Sequence, residues 1–177
     1  MMSEPLRAIG YWRCPENFVF LPHPKELVDR ERDIEDRWVI AEYLRSGVRL
    51  HSCLGFSHCC FRNGPPDEEM GSADLTDGIW VWPEGLPVYV ERYAVRLPKD
   101  FCLHARRQQQ VSVTPEQLEA LQMTPYSFEE WIYWCCSNRS NRWLAALSLP
   151  ALPVIKWLAK RIKEREMREE EREYVVE

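Results

Sequence analysis

The spacing of apolar residues changes several times along this chain, and each change marks an element. Tyr11, Trp12, Phe18, Val19, Phe20 and Leu21 precede Pro22-His23-Pro24. Proline on both sides of His23 favours extended backbone there, so the lead-in is expected to lay aromatic rings on the body. From about Lys25 the spacing becomes helical. Leu27, Ile34, Trp38, Ala41 and Leu44 fall close to one face, while Asp29, Glu31, Asp33, Glu35, Asp36 and Glu42 mostly point elsewhere. Gly47 is placed to follow the end of that helix. Val48 to Phe61 reads as strand with a tight return around Gly55, and Asn63-Gly64-Pro65-Pro66-Asp67-Glu68-Glu69 as an acidic loop.

The 25 residues from Asp74 to Pro98 are the most densely punctuated. Ser72 to Thr76 and Ile79 to Trp82 flank Asp77-Gly78, a favoured pair for a two-residue type I′ hairpin. Alternation then puts Trp80 and Trp82 on one face, opposite Ile79 and Val81. Pro83-Glu84-Gly85 opens a helix through Tyr93 with the stripe Leu86, Tyr89, Val90 and Tyr93. Pro98 opens the next, over Lys99 to Gln109, with Phe101, Cys102 and Ala105 inward. Thr114-Pro115-Glu116-Gln117 and Ser127-Phe128-Glu129-Glu130 are capping boxes for two more helices, the second carrying Trp131, Trp134 and Cys135 inward. Val154 to about Tyr174 reads as a final helix that ends in Lys, Arg and Glu. These elements predict an α+β fold: a small antiparallel sheet packed against several helices, with a helical C-terminal extension. Residues 1–110 are expected to form the core module and 111–177 a helical region ending in a charged helix.

Composition narrows the classes. With 177 residues, 45% of them hydrophobic and eight of them Trp, the chain has material for one well-filled core. The net charge of −5 argues against nucleic acid as a partner. The charge is uneven, with 9 basic and 15 acidic residues up to Tyr89 and 14 and 13 after it. The N-terminal residues lack the apolar run of a secretory signal, and the 13-residue run Trp143 to Ile155 is short and broken by Pro150 and Pro153. A cytoplasmic protein without a transmembrane segment is expected. Seven Cys without a repeating spacing then read as thiols rather than as a disulfide framework.

Two constellations carry candidate chemistry. If Val48 to Phe61 folds back on itself, His51, Cys53, His58 and Cys60 share one face, and two thiolates with two imidazoles form a legitimate zinc set. The spacing matches no familiar zinc motif. The preferred reading is structural, with no cofactor and zinc as the alternative. The second is Asn138 to Lys163, a basic stretch without a single acid, which reads either as a pair of core-packing helices with solvated arginines or as a surface in which Arg139, Arg142, Trp143, Trp157, Lys160 and Arg161 suit a protein partner. Catalytic signals are sparse: Asp74, Asp77 and Glu84 cluster in sequence, but no phosphate loop, dinucleotide fingerprint or Gly-x-Ser-x-Gly accompanies them. Cys102 with His104, and His58 with Cys59, are spaced to point apart.

Tyr43-Leu44-Arg45-Ser46-Gly47, Gly55-Phe56-Ser57-His58-Cys59, Leu75 to Leu86 and Val95-Arg96-Leu97-Pro98 together resemble an uncharacterised family of small bacterial cytoplasmic proteins. The likeness centres on Leu-Thr-Asp-Gly-x-Trp-x-Trp-Pro-Glu-Gly-Leu and spans roughly residues 7–107. In that family Ala-His follows the Gly-Leu pair, whereas this chain has Pro87-Val88, so no histidine role carries over. The resemblance implies one recognisable module and transfers no activity, cofactor or partner. The resulting expectation is a non-catalytic protein-interaction or accessory protein, for example of immunity type. The alternative is a metal-binding protein or enzyme using the His/Cys face.

Overall fold

The computed structural model describes residues 4–13, 21–31 and 33–138. Its elements run β1 (Leu6–Ala8), a 3-10 turn (Pro24–Leu27), α1 (Ile34–Arg45), β2 (Val48–Ser52), α2 (Asp67–Met70), β3 (Ala73–Thr76), β4 (Trp80–Pro83), α3 (Leu86–Tyr93), α4 (Lys99–Gln108), α5 (Pro115–Gln122), β5 (Tyr126–Ser127) and α6 (Glu129–Asn138). The five strands make one sheet in the order β2-β3-β4-β1-β5. Pairing is antiparallel across β2, β3 and β4, and parallel where β1 lies between β4 and β5. The fold is α+β. The parallel strands are too short to show a period, and their backbone bonds hold them, with Leu6 N donating to Pro125 O at 2.9 Å and Ile9 N to Val81 O at 3.0 Å. β5 and α6 lie beyond residue 110, yet they belong with the sheet to one compact unit that runs to Ser140.

The strand period sorts the core into two layers. Trp80 and Trp82 share a buried face, where Phe101 of α4 meets their rings at 5.3 and 5.9 Å and Tyr43 of α1 stands 6.3 Å from Trp82. The opposite face collects Leu6, Ala8, Leu50 and Val81 under Leu118 and Leu121 of α5, with Tyr11, Tyr126 and Phe128. The Thr114 capping box forms as expected: its hydroxyl accepts from Gln117 N while the Gln117 side chain accepts from Thr114 N. Phe101, Cys102 and Ala105 are buried on α4.

Three local readings change. In α1 the buried residues are Ile40, Ala41, Tyr43 and Leu44, while Ile34 and Trp38 face solvent. Tyr43 follows Ile34 by nine residues, about two and a half turns, and therefore sits on the opposite side of the helix. Because Tyr43 enters the core between Trp82 and Phe101, Ile34 turns outward. The β3–β4 turn is displaced by one residue. Asp77 N donates to Trp80 O at 3.3 Å, and Gly78 has φ of +91°, so Gly78 and Ile79 are central, as in a type II′ turn. The third change is that β2 pairs with β3 instead of folding back onto residues 57–61. Cys53 N and Ser57 N donate to Ser72 O and Gly71 O, pinning residues 53–57 as a short excursion with Gly55 at φ +91°.

Candidate functional site

Without the 48–61 hairpin, the four His/Cys positions separate. His51 lies on β2 opposite Asp74, with Nδ1 2.8 Å from Tyr126 Oη and Nε2 3.2 Å from the Gln122 carbonyl. Cys53 follows β2 as an exposed thiol. His58 pairs with Asp67 at 2.7 Å, and Cys60 is held by its backbone N–H on Tyr89 Oη at 2.9 Å. Among the described residues, no group of three His, Cys, Asp or Glu is arranged to hold a metal ion. Arg139, Arg142, Trp143, Trp157, Lys160 and Arg161 lie outside the described residues.

The sheet instead assembles polar clusters around the carboxylates of the central stretch. Asp74 sits under two phenols: Tyr11 Oη donates to Oδ1 at 2.8 Å, and Tyr126 Oη lies 3.2 Å from Oδ2. Burial raises the Asp74 pKa, against the opposing pull of both phenols and His51. Burial and then Asp74 likewise hold the Tyr11 and Tyr126 phenols far above their ordinary range, so both remain donors. Proton counting shows what this network needs. The Gln122 carbonyl only accepts, so His51 Nε2 carries a hydrogen. The single Tyr126 hydrogen then faces two acceptors, Asp74 Oδ2 and His51 Nδ1. Both contacts become hydrogen bonds only when one further proton sits on Asp74 or on His51 Nδ1.

This predicts a distinctive pair of variants. Asp74→Asn supplies that hydrogen permanently: its amide oxygen accepts from Tyr11, and its NH₂ donates to Tyr126. Asp74→Ala leaves the Tyr11 hydroxyl unpaired and should cost about 2–3 kcal/mol. In the wild type the folded pKa of Asp74 lies above its unfolded value. Its contribution is therefore complete at low pH and falls as pH rises above the ordinary carboxylate range. Urea unfolding at acid and mildly alkaline pH should show Asp74→Asn matching or exceeding the wild type at the higher pH, with a flatter profile. If Asn loses as much as Ala, the proton-holding account is wrong.

Asp77, at the other end of β3, is almost wholly enclosed, with 3% of its side chain exposed. Its Oδ1 accepts from Ile79 N at 2.9 Å and Trp80 N at 2.7 Å, and its Oδ2 from Tyr43 Oη at 2.7 Å and His104 Nε2 at 2.9 Å. One carboxylate thus ties the hairpin turn to α1 and α4. Burial, followed by the bond and charge of Asp77, keeps the Tyr43 phenol protonated. An Asp–His pair can orient an imidazole for general-base work. Here His104 bonds to Tyr43 and Asp77. Cys102 is buried and faces the Leu97 carbonyl. Glu84 accepts from Ser72 N at 2.9 Å and pairs with Arg49 at 3.0 Å, bracing the β2–β3 end of the sheet.

Tyr11, Tyr43 and Tyr126 are the members of these clusters that sequence reading misses. Tyr11 reads as one of the lead-in aromatics and the other two carry no assigned role, and nothing in the spacing signals that any of these hydroxyls will meet a carboxylate. The rings of Trp80 and Trp82 are both buried, so they line no open cleft beside Asp74 or Glu84.

The exposed apolar side chains concentrate differently. Ile34, Trp38 and Val39 on α1 are 73%, 54% and 39% exposed. Glu31, Asp33 and Glu35 border them, while Asp36 and Glu42 are engaged by Arg106 and Arg45. No family model, curated protein or solved structure matches this chain. Among the described residues, no helix is long and apolar enough to cross a membrane.

Proposed function

We propose that this chain is a non-catalytic protein-interaction or accessory protein, of which an immunity protein is one example. In this reading it acts in the cytoplasm and docks through the outer face of α1. The observation that carries this is the exposure of Ile34, Trp38 and Val39 on a helix whose opposite side is fully packed. Large rings left in water are a cost that binding recovers, and Trp is the commonest anchor of protein interfaces. The acids around the patch define the occupant: a partner protein presenting an apolar socket rimmed by Lys or Arg. The carboxylates of the central stretch are each engaged by phenol, backbone or guanidinium, which supports a structural role for them.

The test compares the full chain with an Ile34→Ser/Trp38→Ser variant as bait. Exposed substitutions of this kind change stability by only about 0.5 kcal/mol each, so folding should survive. The expected result is a partner with a basic rim, retained at low salt, weakened by salt, and held at least about tenfold less by the variant. Equal retention by both baits would remove the α1 reading. A chain ending at Asn138 separately reports any contribution from Arg139, Arg142, Trp143, Trp157, Lys160 and Arg161.

A further inference from the structure

His23 stands where the lead-in, the 3-10 turn and the loop between β2 and α2 meet, and each of its ring nitrogens has a fixed partner. Nε2 lies 2.9 Å from the Cys60 carbonyl, which only accepts, so it carries the hydrogen. Nδ1 lies 3.1 Å from Lys25 N, which only donates, so it is bare. Together the two contacts select one neutral tautomer. His23 is also the N-cap of the 3-10 turn, its own N–H donating to Glu26 Oε1 at 3.1 Å while its ring serves Lys25 N. The ring meets Phe61 edge-on at 5.8 Å and so bridges the turn and residues 58–61. Each side has a further anchor of its own. Phe61 stacks on Tyr93 with centroids 4.1 Å apart and Cys60 N donates to Tyr89 Oη at 2.9 Å, whereas the far end of the turn is held by Arg96 N on the Leu27 carbonyl at 3.0 Å. Among the described residues, the charged groups around the ring are Lys25 and Glu26 on the turn and Arg13 on the lead-in, which stands 4.0 Å from Glu26.

We propose that His23 is an acid-sensitive latch: neutral, its ring spans the 3-10 turn and residues 58–61, and protonated, it releases the turn. A proton on Nδ1 sets two N–H groups against each other with no acceptor between them, so the Lys25 bond breaks. Nε2–H still donates to the Cys60 carbonyl, and more strongly from a charged ring. The ring therefore stays with the loop and parts from the start of the turn, while Arg96 keeps the far end in place. Burial, opposed by the Cys60 carbonyl, and then the charges of Lys25 and Arg13, opposed by Glu26, hold the His23 pKa below the ordinary imidazole value. With the folded value depressed, the stability that the latch contributes is complete above the ordinary imidazole range and is lost as pH falls through the folded value. The latch involves none of the α1 docking residues.

The experiment is a pH titration of the full, isotope-labelled chain by nuclear magnetic resonance. At mildly alkaline pH the His23 ring should show a bare Nδ1 and a protonated Nε2. Its midpoint should lie below that of the same residue in urea-unfolded chain. As pH falls through that midpoint, protection of the Lys25 amide, measured against the intrinsic exchange rate at each pH, should drop about fivefold or more, the loss that one capping bond implies. In His23→Asn the side-chain oxygen takes over the cap and does not titrate, so Lys25 protection should be independent of pH. His23→Ala should leave that amide unprotected throughout. A neutral ring with its hydrogen on Nδ1, a Lys25 amide that ignores the His23 titration, or an equal fall in His23→Asn overturns the proposal. The Ile34→Ser/Trp38→Ser variant should titrate as the wild type does, which keeps failure here distinct from failure of the docking reading.

Discussion

Asp77→Ala is expected to destabilise the folded chain by about 3–5 kcal/mol, a large share of the roughly 5–15 kcal/mol that holds a domain together. The substitution removes the shared acceptor of Ile79 N, Trp80 N, Tyr43 Oη and His104 Nε2, in a place where little water can replace it. It also frees the turn that sets the register between β3 and β4, and hence the burial of both tryptophans. Asp77→Asn should be milder, about 1–2 kcal/mol, because the amide oxygen still serves the two backbone donors. Its NH₂ can then donate to Tyr43 or to a His104 carrying its hydrogen on Nδ1. Urea unfolding followed by near-ultraviolet circular dichroism measures both variants. A loss under about 1 kcal/mol for Asp77→Ala would show that the hairpin is held by packing alone.

Trp82→Ala should cost a similar amount, about 3–5 kcal/mol, through lost burial and the cavity left behind. The ring is fully enclosed, and its Nε1–H donates to the Leu44 carbonyl at 3.2 Å. Its edge also dictates Gly47: a Cβ at that position would stand 2.6 Å from Trp82 Cζ2 and 3.0 Å from Leu75 Cβ. Gly47→Ala alone should therefore cost about 1–3 kcal/mol by overpacking. In the Trp82→Ala background most of that penalty should vanish, giving a coupling of about 1 kcal/mol or more. Additive losses would mean that Leu75 Cβ and the Leu44 carbonyl, rather than Trp82, set the limit at Gly47.

The structure gives Leu75 to Leu86 a physical job. Leu75 and Trp82 are register partners, Thr76 Oγ1 donates to the Trp80 carbonyl at 2.6 Å, and Asp77 caps the turn. Its residue types follow from making a short hairpin whose rings fill one layer of the core. Glu84, just past β4, adds to the same bracing by holding Ser72 N.

Where short-range chemistry dominates, the residues alone were informative. The Thr114 box, the alternation of Trp80 with Val81, and the buried stripe of Phe101, Cys102 and Ala105 depend on neighbours within one turn or one hairpin. The α+β class follows from those same signals. The failures have a different origin. Val48 to Ser52 carries a genuine strand signal, but a strand does not encode its partner; it pairs with Ala73 to Thr76, itself paired to β4, and the His/Cys face dissolved with that choice. Ile34 and Trp38 were periodic with Ala41, yet Tyr43 claimed the core because Asp77, 34 residues away in sequence, could satisfy its hydroxyl there. Periodicity within the chain determined the longer helices, the strands β2 to β4 and which side chains alternate along them. Only tertiary structure decided which hydroxyl meets which carboxylate and which apolar face stays in water, because those outcomes are set by the desolvation of polar groups brought together from distant parts of the chain.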